Sequence, residues 1–272
     1  MLKKDHRKVY VAIDLAPQVL ARENQEVKLC AESFRGSLLL EVLVNETQAG
    51  VKLGVPRAVE WVLGLEEECI VLEDDCVPTL SSLEYFDEMS KWLAGDIALV
   101  SGDSPWKSGE QANSSLSSYP LIWGWSTNRA QWKKISSNIG GKIPWIEVLT
   151  CLVRKPSRIL PITYFLAAQI RVKRGKLQAW DCSVALTMLI KNLKCVIPNV
   201  RIIENRGDDR FAHHTKSKSA LNRSPLKGIS FASEKLMKDL KSGEKTDTAI
   251  QNRIYRMKYR HILSPAKALL IK

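Results

Sequence analysis

No apolar run in this chain is long enough to cross a bilayer. The longest, Ile159–Ile170, holds twelve residues and is broken by Pro161, Thr163 and Gln169, whereas about 20 are needed to span the hydrocarbon core. The basic N-terminus, Met1 to Lys8, is followed only by the short run Val9–Ala12. A signal-type apolar core is therefore missing, and export is not expected. Paired cysteines are missing as well. Cys30, Cys69, Cys76, Cys151, Cys182 and Cys195 are scattered without a C-x-x-C spacing, which reads as small buried hydrophobes in a reducing compartment. The expected location is the cytoplasm.

Acidic residues are scarce at one end only. The formal net charge is +12, from 41 Lys and Arg against 29 Asp and Glu. Residues 1–215 hold 27 basic and 25 acidic side chains, whereas residues 216–272 hold 14 and 4. The body is thus near neutral, which argues against a nucleic-acid cradle covering its surface. An apolar fraction of 45% in 272 residues suffices for a sizeable core and excludes disordered, collagen-like and disulfide-scaffold classes.

The element pattern predicts an α/β domain. Val9–Ile13 is a β-branched run ending at Asp14, Ser37–Val44 is a second apolar strand, and Cys69–Leu72 and Ile97–Ser101 are two more. Helical spacing predicts helices over Gln25–Phe34, Val55–Leu65, Ser81–Leu93, Leu160–Arg174 and Ala179–Leu193, with a short strand over Lys194–Pro198. Such alternation implies an open, mostly parallel, Rossmann-like sheet with helices on both faces. The Ser-rich stretch Lys107–Tyr119 is expected to be a loop, and Trp123–Trp132 is dense in aromatics.

The strongest chemical signal is Glu73-Asp74-Asp75 at the carboxyl end of a strand, where ligands of open α/β sheets bind. Three crowded carboxylates repel one another, and a hard divalent cation such as Mg²⁺ or Mn²⁺ relieves that repulsion. An acidic run in a solvated turn is the alternative. Trp123, Trp125 and Trp132 read as core packing or as site lining, Asp181 as a helix N-cap or a base, and His213-His214 as a surface pair or a ligand.

Four segments in register carry a resemblance: Glu73-Asp74-Asp75, then Trp123-Gly124-Trp125-Ser126-Thr127 with Arg129 and Trp132, then Trp180-Asp181, then Pro198-Asn199 through Asn205-x-Gly207 to His214-Thr215. Over about Lys8 to Thr215 the chain resembles GT-A glycosyltransferases of the N-acetylglucosaminyltransferase I-like branch, in their bacterial form. The resemblance implies a GT-A fold and a metal-dependent inverting transfer of a hexose or N-acetylhexosamine from a nucleotide-diphosphate sugar. The implied acceptor is a glycan or lipid-linked precursor of polysaccharide biosynthesis, and the implied cofactor is Mn²⁺ or Mg²⁺. By the same resemblance Asp75 is the metal ligand, Asp181 the catalytic base, and Asp14 the residue holding the nucleotide base. Gly50 lies in the loop under the nucleotide, Glu73 and Asp74 face the sugar and ribose, Trp123, Gly124 and Trp125 line the substrate, and His214 sits near the diphosphate. The family's first strand and helix, about 30 residues, have no counterpart ahead of Val9. That departure motivates an alternative expectation, a catalytically inactive, truncated relative acting as a binding or scaffold protein.

Two regions are therefore expected: a transferase-like domain over residues 1–215, and a basic linker with an amphipathic helical tail over residues 216–272. In the tail, Ile250, Ile254, Met257 and Ile262 share a helical face flanked by Arg253, Arg256, Lys258 and Arg260. This suggests peripheral contact with the anionic inner face of a membrane, or packing of that face on the domain. Nucleic acid is not the expected partner, since only Tyr255 and Tyr259 offer stacking groups there.

Overall fold

The computed structural model describes residues 7–106, 114–140, 143–206 and 245–251. The chain opens with strand β1 (Lys8–Ile13), helix α1 (Ala21–Glu32) and strand β2 (Leu39–Val44). β1 and β2 pair in parallel from Lys8↔Leu39 to Ile13↔Val44, with the helical crossover that parallel neighbours require. They form a two-stranded sheet of their own. α1 has no buried residue, so β1 supplies the anchors of this unit. There the Tyr10 hydroxyl donates to Glu66 Oε1 at 2.6 Å, and the Tyr10 ring meets Trp61 edge-on at 5.3 Å.

Helix α2 (Gly50–Leu65) buries Pro56, Val59 and Leu63, one face at helical spacing. Strands β3 (Glu68–Val71) and β4 (Cys76–Pro78) flank the acidic triplet, and helix α3 (Leu80–Ser90) comes next. A reciprocal capping box starts α3: the Ser82 amide donates to Thr79 Oγ1 at 3.1 Å, and the Thr79 amide donates to Ser82 Oγ at 2.8 Å. The remaining elements are strand β5 (Ile97–Ser101), strand β6 (Ser114–Ser117), strand β7 (Trp125–Asn128), helix α4 (Arg129–Ser136), helix α5 (Trp145–Arg154), helix α6 (Ile159–Lys173), helix α7 (Asp181–Ile190), strand β8 (Lys194–Pro198) and strand β9 (Ile203–Asn205).

The main sheet has the order β3-β7-β5-β8-β6. It corrects the expectation of a mostly parallel sheet: β5–β8 is its one parallel pair, and β3–β7, β5–β7 and β6–β8 are antiparallel. The reason lies in β6 and β7. β6 sits inside the Ser-rich stretch expected to be a loop, β7 inside the aromatic-dense stretch, and both insert against the direction of their neighbours. The polar β6 is held by its ladder to β8, from Ser114↔Pro198 to Ser117↔Cys195.

β5 and β8 are buried on both faces. Leu99, Cys195 and Ile197 join the apolar cluster containing α7 residues Val184, Leu186 and Met188. Val100 and Val196, alternating with them, join a second cluster containing α3 residues Tyr85, Phe86 and Met89. Helices therefore cover both faces of a mixed α/β sheet. Cys76, Cys151 and Cys195 are buried as expected, but Cys30 on α1 is exposed.

Residues 245–251 are helical. Thr246 and Ser115 share a hydroxyl hydrogen bond of 2.8 Å, and Asp247 accepts from Ser117 Oγ at 2.7 Å and from the Ser118 amide at 2.9 Å. Ile250 is fully buried in the main cluster. The start of the tail thus spends its apolar residue on the domain, not on a membrane. Ile254, Met257, Ile262 and the basic residues from Arg253 onward lie outside the described residues. Among the described residues, no helix is long and apolar enough to cross a membrane.

Candidate active site

The carboxyl end of β3 delivers Glu73, Asp74 and Asp75 into a tight turn closed by the Cys76 amide donating to the Glu73 carbonyl at 2.9 Å. β4 then pairs antiparallel with β9, Cys76 opposite Asn205. Just beyond β9, the Arg206 amide donates to the Asp75 carbonyl at 2.8 Å. The backbone of the triplet is thereby held from both sides. Cys76 Sγ donates to Asp75 Oδ1 at 3.3 Å.

Asp181 reaches this group from a distant part of the chain. It lies in the first turn of α7, whose N-cap is Trp180 with no side-chain capping bond. Asp181 is therefore not the N-cap that the sequence allowed it to be, and among the described residues its carboxylate accepts no hydrogen bond. Its charge is felt at Glu73. Burial, then Asp75, Asp181 and Asp74 in that order, push the Glu73 carboxyl up from 4.5 to about 7. Three acidic side chains thus act on Glu73 at the strand end. Among the described residues, no three His, Cys, Asp or Glu side chains come together closely enough to cage a metal ion.

Gly124 sits against the same turn. It adopts φ +65°, and a Cβ there would stand 2.7 Å from Ile203 Cγ1 and 3.3 Å from Leu72 Cδ2, next to Glu73. Only glycine combines that left-handed backbone with that close approach. Its carbonyl accepts from the Gly102 amide at 2.7 Å. Trp123 is half-buried, with the Arg201 guanidinium 5.8 Å from its ring centre.

Trp125, expected to line the substrate, is instead a core residue. It is 1% exposed, with its ring 5.7 Å from Trp132 and 5.5 Å from Trp180. The antiparallel β7 turns this side chain inward, where the three indoles pack together. Because Trp180 immediately precedes Asp181, Trp125 bears on the site by fixing where α7 begins.

Asp14 and Gly50 are brought together, at the start of α2. The Asp14 carboxylate accepts from Asn45 Nδ2 at 3.1 Å, the Ala49 amide at 2.9 Å and the Gly50 amide at 2.7 Å. Burial raises its pKa, but these hydrogen bonds outweigh burial and hold the carboxyl below its ordinary value. Gly50 has φ +63°, so the helix N-terminus is built around this carboxylate. No hydrogen bond among the described residues ties this pair to the acidic group. His214 lies outside the described residues.

Three residues next to the site escaped the sequence reading. Asp103 and Arg201 form an ion pair of 2.8 Å, 3% and 6% exposed. Asp103 Oδ1 also accepts from the Ser104 amide, and a Cβ at Gly102 would stand 2.4 Å from Ile203 Cγ1. Ser101-Gly102-Asp103-Ser104 closes β5 as the acidic triplet closes β3, so strand-end position was a usable signal for Gly102 and Asp103. Arg201, a lone basic residue after β8, carried none.

No family model matches the chain, and no curated protein matches it.

Proposed function

We propose that this chain is a metal-dependent inverting glycosyltransferase of GT-A type, moving a sugar from a nucleotide-diphosphate donor to a glycan or lipid-linked acceptor. The observation that carries the reading is the convergence of Asp181 with Glu73, Asp74 and Asp75. Sequence resemblance alone matched Asp181 to a base, Asp75 to a metal ligand and Glu73 and Asp74 to residues facing the sugar and ribose, and the other three carboxylates act on Glu73 at a strand end.

The donor set fits a cation held through one carboxylate, Asp75, with phosphate oxygens and water in its other positions. It does not fit an all-protein cage. Bound there, Mn²⁺ or Mg²⁺ would supply charge stabilisation to the leaving diphosphate. The chain's own residues do the rest. Asp181, not engaged in capping, accepts the proton of the acceptor hydroxyl as that oxygen attacks the anomeric carbon. A single displacement breaks the bond to the diphosphate and inverts the centre, so no protein nucleophile is required. Glu73, held near neutral pH between its two protonation states, can donate a hydrogen bond to the donor as well as accept one. Gly124 keeps the floor of the turn free of side-chain bulk, and Trp123 offers a face to the sugar.

A binding role without catalysis is favoured by one observation: the Asp14 carboxylate is already engaged by three donors at the start of α2, which leaves it little capacity for a nucleotide base. Calorimetric titration with nucleoside diphosphates, with and without Mn²⁺, tests both readings. Metal-dependent binding that is lost in Asp75→Ala supports the transferase. Metal-independent binding rejects the metal-dependent transfer, and no binding at all rejects the transferase in favour of the binding role.

A further inference from the structure

We propose that Arg201, clamped by Asp103, is a positioning residue that fixes the Trp123 indole beside the acidic turn and so sets the fit of the donor's sugar ring. This role rests on the transfer reading. Arg201 and Asp103 form an ion pair whose two side chains are almost fully buried. Such a pair adds little net stability, because taking both charges out of water offsets most of their attraction. What it does fix is a direction. Arg201 Nε donates to Asp103 Oδ1 at 2.8 Å, and Nη2 donates to the Ser104 carbonyl at 3.4 Å. The planar guanidinium is thus held at two points along one edge. Asp103 is held in turn. Its Oδ1 accepts from the Ser104 amide at 2.7 Å, and its own amide donates to Ser101 Oγ at 3.0 Å. Ser101 Oγ donates onward to the Leu121 carbonyl at 2.6 Å, two residues ahead of Trp123.

The guanidinium so held lies over the Trp123 ring, its carbon 5.8 Å from the ring centre, within the range of cation–π attraction. Trp123 is half-buried and packs against the cluster that contains Phe86, Val100 and Ile203. Its neighbour Gly124 stands against Leu72, the residue before Glu73. Backbone bonds lace these segments together: the Gly102 amide donates to the Gly124 carbonyl at 2.7 Å, and the Ile202 amide donates to the Gly102 carbonyl at 3.0 Å. The main chain at Gly124 is therefore placed without the Arg201 side chain. The contribution of that side chain is the direction of the indole. With one face of the ring taken by the guanidinium, a sugar is left the opposite face or the edge. A ring fixed in advance loses less freedom when the sugar arrives, and binding is stronger by that amount. A nucleoside diphosphate that carries no sugar gains nothing from it.

The test uses the full chain with Mn²⁺ and compares UDP with UDP-N-acetylglucosamine, and GDP with GDP-mannose, by calorimetric titration. Arg201→Ala would strand the Asp103 carboxylate in the interior, so Arg201→Lys is used: it keeps the buried charge and removes the flat, forked cation. Arg201→Lys is expected to lower affinity for the nucleotide sugar, relative to its own nucleoside diphosphate, by about fivefold, the size of one cation–π contact. Trp123→Ala lowers the same ratio at least as far, and the double variant Arg201→Lys/Trp123→Ala lowers it no further than Trp123→Ala alone. A second readout needs no ligand. In protein labelled with 5-fluorotryptophan, the Trp123 fluorine resonance, assigned by its loss in Trp123→Phe, is expected to shift or broaden in Arg201→Lys. An unmoved resonance overturns the proposal. So does an equal loss of affinity for diphosphate and nucleotide sugar, or effects that multiply in the double variant, since either makes the ion pair a structural tie only. In those cases wild type still binds its donor and the transfer reading stands. Wild type that binds none of the four probes rejects the transfer reading and this role together.

Discussion

Replacing Glu73 by glutamine is expected to stabilise the fold at alkaline pH and to leave it unchanged in acid. In the folded chain the Glu73 carboxyl is raised from 4.5 to about 7 by burial and by the charges of Asp75, Asp181 and Asp74. The folded state therefore holds this proton more tightly than the unfolded one. Below the unfolded value both states are protonated and there is no cost. As pH rises from there through about 7 the carboxylate is forced to ionise among three others, and stability is lost. The full shift corresponds to about 3 kcal/mol. Urea denaturation at about pH 4 and about pH 8, in the presence of a chelator, measures it. Wild type is expected to lose about 3 kcal/mol more across that interval than Glu73→Gln, because all other titrating groups are common to both. Asp181→Asn should recover part of the same cost, since Asp181 is one of the charges acting on Glu73. Identical pH slopes for wild type and Glu73→Gln would refute the convergence of the four carboxylates. An Asp181→Asn slope equal to wild type would remove Asp181 from the group.

The other expectations concern the parts that hold the site. Asp14→Ala removes three hydrogen bonds at the start of α2 and should cost about 1–2 kcal/mol at neutral pH. Since the Asp14 carboxyl is lowered in the folded state, its contribution is present above the ordinary carboxylate range and fades as pH falls through the folded value, so the variant and wild type should converge in acid melts. Gly124→Ala forces a Cβ against Ile203 at a left-handed backbone position; a loss of about 1–3 kcal/mol in chemical denaturation is expected. Ile250→Ala should cost about 2–4 kcal/mol, because its side chain lies in the main core. A loss below about 0.5 kcal/mol, the range of surface substitutions, would mean that residues 245–251 do not dock.

Much of the fold was readable because strands and helices announce themselves locally. The runs in β1, β3, β5 and β8 are apolar and β-branched, and all four are strands of the structure. The helices expected over Ser81–Leu93 and Leu160–Arg174 appear as α3 and α6, with ends shifted by one to three residues. β6 was unreadable because Ser-Ser-Leu-Ser has no strand preference. Its strand state comes from the ladder to β8 and from hydroxyl and amide bonds to Thr246 and Asp247, far along the chain. α5 escaped because apolar residues on two faces erase the single-stripe period.

The candidate site divides the same way. That Glu73-Asp74-Asp75 would sit at the end of a strand was determined by local sequence, since an apolar run must stop where charges crowd. Which side of β7 is buried was not. Trp125 could line a site or fill a core equally well by pattern, and packing against Trp132 and Trp180 decided for the core. Likewise periodicity marked Ile250 as an apolar helix position, but only tertiary packing put its side chain into the main core. Local sequence determines which residues form a strand, a turn or a stripe, because backbone preference and hydrophobic period act over a few positions. The meeting of Asp181 with the triplet after β3 was decided only by tertiary structure, because interaction between charges depends on distance through space, and that distance exists only once β3 and α7 are packed on one core.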